Sequence, residues 1–226
     1  MRDGAAGDTL LQKHRSIVME SGLIRVMIAD DHPLMRSGII AVLSSNPKFS
    51  VVAEAEDGDS AIELYQRWRP DVTLMDIQMP GLNGIEVTSA IRRIDPGARI
   101  IILTTFGGDV QVARGLSAGA IGYVLKNLAR NALIDYIVAA HAGRRLLPPP
   151  VAASLVNSFQ LDTLSKREIE VLRLVGNGNS NQRVADHLGL SEDTIKAHMK
   201  TIMQKLDARD RTHAVTIAMR RGYWEN

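Results

Sequence analysis

The chain has 226 residues, no cysteine, and a formal net charge of +2 from 27 basic and 25 acidic side chains. The lack of cysteine excludes a disulfide framework and any thiolate zinc site, and it suits a reducing cytoplasm. No apolar run approaches the roughly 18 residues that cross a bilayer, and residues 1–22 lack the apolar core of a secretory signal. We therefore expect a cytoplasmic protein without a membrane partner.

From residue 23 onward, strand patterns alternate with helix patterns, whereas residues 1–22 show weak periodicity and are expected to form a mobile extension. The predicted strands are 24–29, 50–55, 72–76, 99–104 and 121–125, and the helices between and after them are 33–43, 60–68, 85–94, 109–118 and 128–142. Five βα units predict a parallel sheet with helices on both faces. Right-handed crossovers favour the flavodoxin-like (βα)5 fold with strand order 2-1-3-4-5 for a domain at 23–145.

Three consecutive prolines at 148–150 end this pattern. They cannot continue a helix, so we expect an extended linker at 146–162 that contains a short amphipathic helix at 151–159. An all-α domain of four helices follows at 163–226. Ser165 with Glu168 forms a capping box, Ser180 and Ser191 cap the next two helices, and Gly189 turns the chain between them. Two helices joined by a short glycine-containing turn form a helix-turn-helix arrangement.

Charge is unevenly distributed between these two regions. Residues 24–145 carry 13 basic and 13 acidic side chains, whereas residues 163–226 carry 11 basic and 8 acidic ones. A basic C-terminal quarter indicates either a solvated surface or contact with nucleic acid.

Three carboxylates follow two strands that neighbour each other in the predicted sheet. Asp30 and Asp31 follow the first strand and Asp76 ends the third, so all three lie at one edge. Crowded carboxylates repel one another unless a cation neutralises them, and Mg²⁺ fits such oxygen ligands. We expect Asp31 and Asp76 to bind Mg²⁺ directly, Asp30 through water, and Gln78 through its backbone carbonyl. Taken alone, Asp76 could equally be a helix cap or a solvated turn residue.

A metal-oriented Asp76 can attack phosphorus and form an aspartyl-phosphate. The transition state spreads charge over three equatorial oxygens, so hydrogen-bond donors must surround it. Thr104, at the end of strand four, offers a hydroxyl, and Lys126, at the end of strand five, offers a positive charge. Phe106 offers no group that orients a hydrolytic water, which predicts slow self-dephosphorylation.

The motifs ADDH at 29–32, MDIQMPGLNG at 75–84, LTT at 103–105 and GAIGYVLK at 119–126 resemble the receiver domains of bacterial two-component response regulators. The resemblance implies that Asp76 is the phosphoacceptor and that Asp30, Asp31, Thr104 and Lys126 complete its site. It further implies that Tyr123 is the aromatic switch partner of Thr104, and that a sensor histidine kinase supplies the phosphoryl group.

The third helix of the C-terminal domain has two faces. Its apolar residues, at 195, 199, 202, 203 and 206, share one face, and Lys196, Ala197 and Lys200 lie opposite. Such a lysine-bearing face is commonly only solvated, but on the second helix of a helix-turn-helix unit it is placed to enter a DNA groove. Lysine can donate to guanine, an alanine methyl can meet thymine, and three further side chains can reach phosphates: Thr194, His198 and Lys205.

The stretches LSKREIEVL, SNQRVADHL, SEDTIKAHM and QKLDARDRTHAV resemble the LuxR-type helix-turn-helix. The resemblance implies base reading by Lys196, Ala197 and Lys200, and DNA-backbone contacts from Asn181, Gln182 and Thr194. Asn179 stands where the family commonly has an apolar residue, so we expect a looser turn there. The last helix, at 210–221, is a candidate dimer surface through Val215, Ile217 and Met219.

Together the two resemblances indicate a response regulator of the NarL/FixJ type, a phosphorylation-controlled transcription factor that dimerises on a double-stranded DNA operator. One alternative is a magnesium-dependent phosphatase or phosphotransferase acting through Asp76, which gives the helix-turn-helix no purpose. Another alternative is a DNA-binding protein whose receiver domain is merely structural. The presence of all five receiver-site residues argues against it: Asp30, Asp31, Asp76, Thr104 and Lys126.

Overall fold

The computed structural model describes residues 22–105, 108–126, 130–160 and 164–224. All but the last residue of the expected extension at 1–22, and Phe106, whose lack of a water-orienting group predicts slow self-dephosphorylation, lie outside these residues. Strands and helices follow one another as β1 Ile24–Ala29, α1 Pro33–Ser44, β2 Phe49–Ala55, α2 Gly58–Trp68, β3 Val72–Asp76, α3 Gly84–Ile94, β4 Ile100–Thr104, α4 Asp109–Ser117, β5 Gly122–Leu125, α5 Arg130–His141, α6 Pro149–Gln160, α7 Lys166–Gly176, α8 Asn181–Leu188, α9 Glu192–Lys205 and α10 Arg211–Arg221.

The five strands form one parallel sheet in the order β2-β1-β3-β4-β5, which confirms the flavodoxin-like prediction. Strands β3 and β4 are buried along their whole length, as expected for apolar runs covered on both faces. The register pairs Ala29 with Met75, Asp76 with Leu103, and Thr104 with Leu125. The carboxyl ends of four strands therefore lie side by side at one edge.

Alternation along the strands divides the core of the sheet into two clusters. Val26 and Ile28 point to a cluster that includes residues of α1 and α5, whereas Met27 and Ala29 point to one that includes residues of α2 and α3. Successive residues of a strand thus point to alternate faces of the sheet. The same alternation decides which side chains meet at the carboxyl edge.

By their contacts the described residues form two compact units. The first comprises the residues up to Thr104 together with Ala118–Leu146, and the second comprises Thr105–Ser117 together with the residues from Leu147 onward. Helix α4 is therefore a component of the second unit, where it packs against α6 and the end of α10. The domain limits expected from the sequence, 23–145 and 163–226, remain predictions.

The proline-rich segment corrects one expectation. We expected an extended stretch at 148–150, but α6 begins at Pro149 and includes Pro150. The first turn of a helix needs no backbone N–H donors, so proline is tolerated there, and the Ala152 amide already donates to Pro148 O at 2.9 Å. No helix among the described residues combines the length and apolar character that crossing a bilayer requires.

The C-terminal helices begin where the sequence predicts. Ser165, Ser180 and Ser191 each accept a backbone hydrogen bond as N-caps, and Ser165 with Glu168 forms the predicted capping box. The turn at Asn179 is not loosened, because its side-chain amide donates to Leu174 O at 2.9 Å. The amide closes the turn by a hydrogen bond where an apolar residue would close it by packing.

Candidate functional site

The acidic edge brings three predicted carboxylates together. Asp30 and Asp76 are 0% and 2% exposed, and Asp31 is half-buried beside them. One oxygen of each, together with a ring nitrogen of His32, lies within 4.8 Å of the others. His32 Nδ1 is 2.6 Å from Asp31 Oδ1. His32 was not among the predicted site residues, although its position directly after the acid pair was a signal that could have identified it.

Lys126 reaches this edge from the end of β5. Its Nζ lies 2.8 Å from Asp76 Oδ2 and 2.9 Å from Asp30 Oδ2, and its backbone amide donates to Thr104 O at 2.7 Å. Burial raises the pKa of Asp76, and Lys126 partly opposes that rise. Burial alone would lower the pKa of Lys126, but hydrogen bonds to Asp76 and Asp30 raise it overall. The ammonium group is therefore charged between the two carboxylates.

The donor set fits a hard divalent cation. Asp30 Oδ2, Asp31 Oδ1 and Asp76 Oδ2 are buried carboxylate oxygens whose charged neighbours are the Lys126 ammonium and the His32 ring. Buried carboxylate oxygens in this condition suit Mg²⁺, which takes oxygen ligands and retains water. The backbone amide of Gln78 donates to the Asp76 carboxylate, and the predicted role of its carbonyl remains a prediction.

The loop after Asp76 is shaped by glycine. Gly81 has φ +76°, a left-handed conformation that favours glycine, and a Cβ on Gly84 would collide with the carbonyl oxygen of Asp76. Asn83 and Glu86 form a capping box that starts α3 at this point. The motif thus allows the first turn of α3 to lie directly against the backbone of Asp76.

Thr104 and Tyr123 lie on the same face of the sheet. Ile101 and Leu103 of β4 and Val124 of β5 point into the cluster of α1 and α5, so the alternate residues Thr104 and Tyr123 point to the opposite face. Thr104 is 4% exposed and Tyr123 is fully buried. Burial raises the pKa of Tyr123 well above its ordinary value, so the phenol is neutral. The two predicted switch residues therefore share one face of the sheet, and their coupling remains a prediction.

Helix α9 presents the predicted DNA-reading residues on its outer face. Lys196, Ala197 and Lys200 are exposed, whereas Ile195 and Met199 are buried in the C-terminal core. The residues predicted to contact the DNA backbone lie in α8 and α9, either exposed or half-buried: Asn181, Gln182, Thr194, His198 and Lys205. The three predicted base-reading residues are thus accessible, whereas four of the five predicted backbone contacts are half-buried.

Two of these lysines already have acidic partners. Lys196 Nζ lies 3.2 Å from both Glu192 and Asp193, whose hydrogen bonds raise its pKa. Lys205 Nζ lies 2.8 Å from Glu168 Oε2. Its predicted phosphate contact therefore competes with an ion pair between α9 and α7.

Glu168 has a second role besides the capping predicted from the sequence. Besides accepting from the Ser165 amide at 2.7 Å, its buried carboxylate binds Lys205. Burial would raise the pKa of Glu168, but the hydrogen bonds from Lys205 and Ser165 lower it overall. The capping residue of α7 therefore also fixes the C-terminal end of α9.

Two family profiles match the chain. A profile described as the response regulator receiver domain matches residues 26–138, and one described as bacterial regulatory proteins of the luxR family matches residues 162–218. Among similar proteins, the uncharacterized transcriptional regulatory protein YxjL of Bacillus subtilis (strain 168) is 40% identical over 90% of this chain and 99% of its own. The nitrate/nitrite response regulator protein NarP of Escherichia coli (strain K12) is 37% identical over 88% of this chain and 95% of its own.

Solved structures show the same likeness. The response regulator ChrA of a heme-sensing two-component system is 40% identical, with a TM-score of 0.55 over 90% of this chain and 100% of that one. RcsB from Salmonella enterica serovar Typhimurium, bound to a promoter in the presence of the phosphomimetic BeF3−, is 30% identical, with a TM-score of 0.67 over 87% of this chain and 98% of that one.

Proposed function

This chain belongs to the two-component response regulators of the NarL/FixJ type, which join a receiver domain to a LuxR-type DNA-binding domain, and we propose that phosphorylation of Asp76 controls its binding to an operator. The protein is a transcriptional regulator and not a classical enzyme. The observation that carries the proposal is the buried edge where Lys126 Nζ lies 2.8 Å from Asp76 and 2.9 Å from Asp30.

We assign the chemistry to the residues of this edge. Asp30, Asp31, Asp76 and the carbonyl of Gln78 would hold Mg²⁺, and a bound ion would supply positive charge to offset the negative charge of the transferring phosphoryl group. Asp76 attacks the phosphorus of the phosphohistidine of a sensor kinase, the P–N bond breaks, and the histidine leaves. Lys126 donates to the phosphoryl oxygens. Nucleophilic attack needs Asp76 ionised, and the adjacent ammonium group opposes the effect of burial on its pKa.

The switch follows from the new charge. Phosphorylation adds about one unit of negative charge to Asp76 and three acceptor oxygens. Thr104 moves toward them, and Tyr123 turns into the space that Thr104 leaves on the same face of the sheet. Moving the ratio of active to inactive conformations from 1:99 to 99:1 needs about 5.5 kcal/mol of differential stabilisation. Two or three charge-assisted hydrogen bonds of roughly 1.5–3 kcal/mol each can supply this free energy.

We assign DNA recognition to α9, and dimerisation on DNA to α10. RcsB is bound to DNA in solved structures at 29–30% identity to this chain, and this chain carries exposed Lys196, Ala197 and Lys200 on the corresponding kind of helix. Lys196 and Lys200 donate to guanine edges and Ala197 contacts a thymine methyl. Two modules on two half-sites then require a homodimer.

The test compares Asp76→Asn with wild type and with Asp135→Asn, a control that removes an exposed carboxylate of the same unit. An operator is first selected from genomic DNA with the phosphorylated protein. We expect kinase or acetyl phosphate to label wild type and Asp135→Asn in the presence of Mg²⁺ and to raise their operator affinity, with neither effect in Asp76→Asn. Equal operator affinity with and without labelling in wild type contradicts the proposal.

A further inference from the structure

The edge of the parallel sheet at which its strands begin is strongly basic. Six described segments form this edge, each of which opens a strand or ends a helix: 22–25, 45–50, 66–72, 92–101, 118–122 and 141–146. They contain only two acidic residues, Asp71 and Asp95. Their basic residues, which we call the basic edge, are Arg25, Lys48, Arg67, Arg69, Arg92, Arg93, Arg99, Arg144 and Arg145.

Hydrogen bonds hold three of these segments side by side. The Ile24 amide donates to Lys48 O and the Asp71 amide donates to Arg25 O, both at 2.8 Å. The Arg25 guanidinium donates to Arg69 O, also at 2.8 Å. The end of α2 is therefore fixed against the start of β1, and the basic side chains of both elements project from one rigid support.

Both acidic side chains of these segments are already bound within the edge. Asp71 Oδ2 accepts from the Arg25 amide at 2.8 Å. Asp95 Oδ2 accepts from the Tyr65 hydroxyl at 2.7 Å and lies 3.5 Å from Arg69 Nη1. The positive excess therefore faces solvent, where six members of the basic edge are exposed: Lys48, Arg67, Arg69, Arg93, Arg144 and Arg145.

The electrostatics of helix ends explains only part of this excess. Basic side chains are favoured in the last turn of a helix, where the macrodipole is negative, and Arg67, Arg92 and Arg93 occupy such turns. Lys48 and Arg99 instead directly precede strands β2 and β4, where no helix ends. The clustering of charge at this edge therefore goes beyond what the helices need for their own stability.

A chain of phosphates fits this surface better than a protein partner does. The centres of protein–protein interfaces are apolar and depleted of charge, whereas Trp68 and Ile94 are the exposed large apolar side chains that the described part of this edge offers. Protein–DNA interfaces are polar and strongly positive, and arginine binds phosphate through a fork of donors. DNA is also the ligand of the LuxR-type domain that this chain carries.

We propose that the basic edge binds the phosphate backbone of duplex DNA outside the bases that α9 reads. This rests on the proposed function for its DNA partner and adds a second contact surface, on the receiver sheet. Phosphate contacts carry no sequence information directly, so the choice of bases stays with α9. The carboxyl edge with Asp30 and Asp76 repels DNA, so the field of the sheet directs DNA to the edge opposite the phosphorylation site.

The test uses the full chain and two duplexes, the selected operator alone and the same operator flanked on each side by about two helical turns of random sequence. The neutral variant combines Lys48→Gln, Arg67→Gln and Arg93→Gln, all at exposed positions. Its control combines Lys48→Arg, Arg67→Lys and Arg93→Lys, which keeps every charge. Affinity is measured as a function of salt concentration for both proteins and for wild type.

Each phosphate that a basic side chain neutralises releases counterions, so the salt dependence counts such contacts. On the flanked duplex, we expect the slope of log affinity against log salt to be smaller by about 2–3 in the neutral variant than in its control, with affinity about tenfold lower at low salt. On the operator alone, the two proteins should bind alike. Their preference for operator over random bases should be equal.

Trp68 provides a local readout. The Arg67 guanidinium lies over its ring, 5.7 Å from the centroid, and Trp224→Phe removes the other tryptophan signal. In that background, the flanked duplex should change the emission of Trp68 more than the operator alone does. An emission change of the same size with both duplexes contradicts the proposal.

Equal salt slopes for the neutral variant and its control on the flanked duplex overturn the proposal, as does an equal loss of affinity on both duplexes. If the neutral variant instead loses binding to vesicles of anionic lipid while its DNA slope is unchanged, the partner is a membrane surface and the proposal is wrong. Lys200→Ala separates this result from the proposed function. An unchanged base preference in Lys200→Ala contradicts the role of α9, whatever the slopes of the basic-edge variants show.

Discussion

Lys126 Nζ lies 2.8 Å from Asp76 Oδ2, so the carboxylate proposed to accept the phosphoryl group already has a cation beside it. The same ammonium group is 2.9 Å from Asp30 Oδ2. In the proposed site, Lys126 and Mg²⁺ would both offer positive charge to the same two carboxylates, Asp30 and Asp76. Because both cations would neutralise the same carboxylates, the stability of the first unit should depend on whether Lys126, Mg²⁺ or both are present.

Lys126→Met should destabilise the first unit by about 3 kcal/mol without Mg²⁺, because it leaves Asp30 and Asp76 buried without their cation. Millimolar Mg²⁺ should restore more stability to the variant than it adds to wild type. Urea unfolding with and without Mg²⁺ measures both effects. Lys48→Met, at an exposed lysine, should behave as wild type, and an equal Mg²⁺ effect in all three proteins would contradict competition for the same oxygens.

Gly84→Ala should destabilise the first unit by about 1–3 kcal/mol, because its Cβ collides with the Asp76 carbonyl oxygen and displaces α3 or the acceptor strand. It should also slow labelling of Asp76. Gly38→Ala is the control, since a Cβ there meets nothing within 4 Å and alanine favours a helix interior. Thermal unfolding and a labelling time course compare the two, and equal behaviour would show that the approach of Gly84 to Asp76 is unimportant.

Lys200→Ala should weaken operator binding by about 1–3 kcal/mol and relax the preference at one base position. Lys196→Ala should cost less, because Lys196 must first leave Glu192 and Asp193. Asp193→Asn should accordingly raise affinity. Binding titrations on operator and random DNA distinguish base reading from phosphate contact. If Lys200→Ala loses the same affinity on both DNAs, Lys200 contacts phosphate only.

The ion pair of Glu168 with Lys205 should give the C-terminal unit a pH-dependent stability. The folded pKa of Glu168 is lowered from 4.5, so its stabilisation is complete above about pH 4.5 and is lost as the pH falls through the folded pKa. Glu168→Gln should therefore cost about 1–3 kcal/mol at pH 7 and progressively less in acid.

Fluorescence of Trp224, which packs against the C-terminal core, can follow this unfolding, with Trp68 replaced by phenylalanine to remove the other tryptophan signal. Glu170→Gln is the control, because its ion pair with Arg167 is exposed and surface pairs contribute about 0–1 kcal/mol. If the difference in unfolding free energy between Glu168→Gln and wild type is the same at all pH values, the ion pair of Glu168 with Lys205 is not the source of the pH dependence.

Features set by local pattern could be predicted from the sequence. The strand ends that carry Asp30 and Asp76 follow from apolar runs, and the caps at Ser165 and Ser191 follow from side chains that reach backbone a few residues away. The proline-rich start of α6 was mispredicted because the same residues that end one helix can begin another.

Contacts between distant residues could not be predicted in this way. Glu168 has a visible capping signature, but its bond to Lys205 joins residues 37 positions apart. Asp109 and Arg221 are 112 positions apart, and α4 has the periodicity of an ordinary crossover helix between two strands. Periodicity shows which face of a helix is apolar, but it does not show which of two units the helix joins.

The second unit is built from two separate stretches of chain, with Ala118–Leu146 of the first unit between them. During synthesis on the ribosome, α4 emerges long before Arg221, which ends the last helix. Asp109 therefore has no Arg221 to pair with until α10 has been synthesised, and the second unit cannot reach its native form before then. A fragment that starts at the linker would lack one of its own helices.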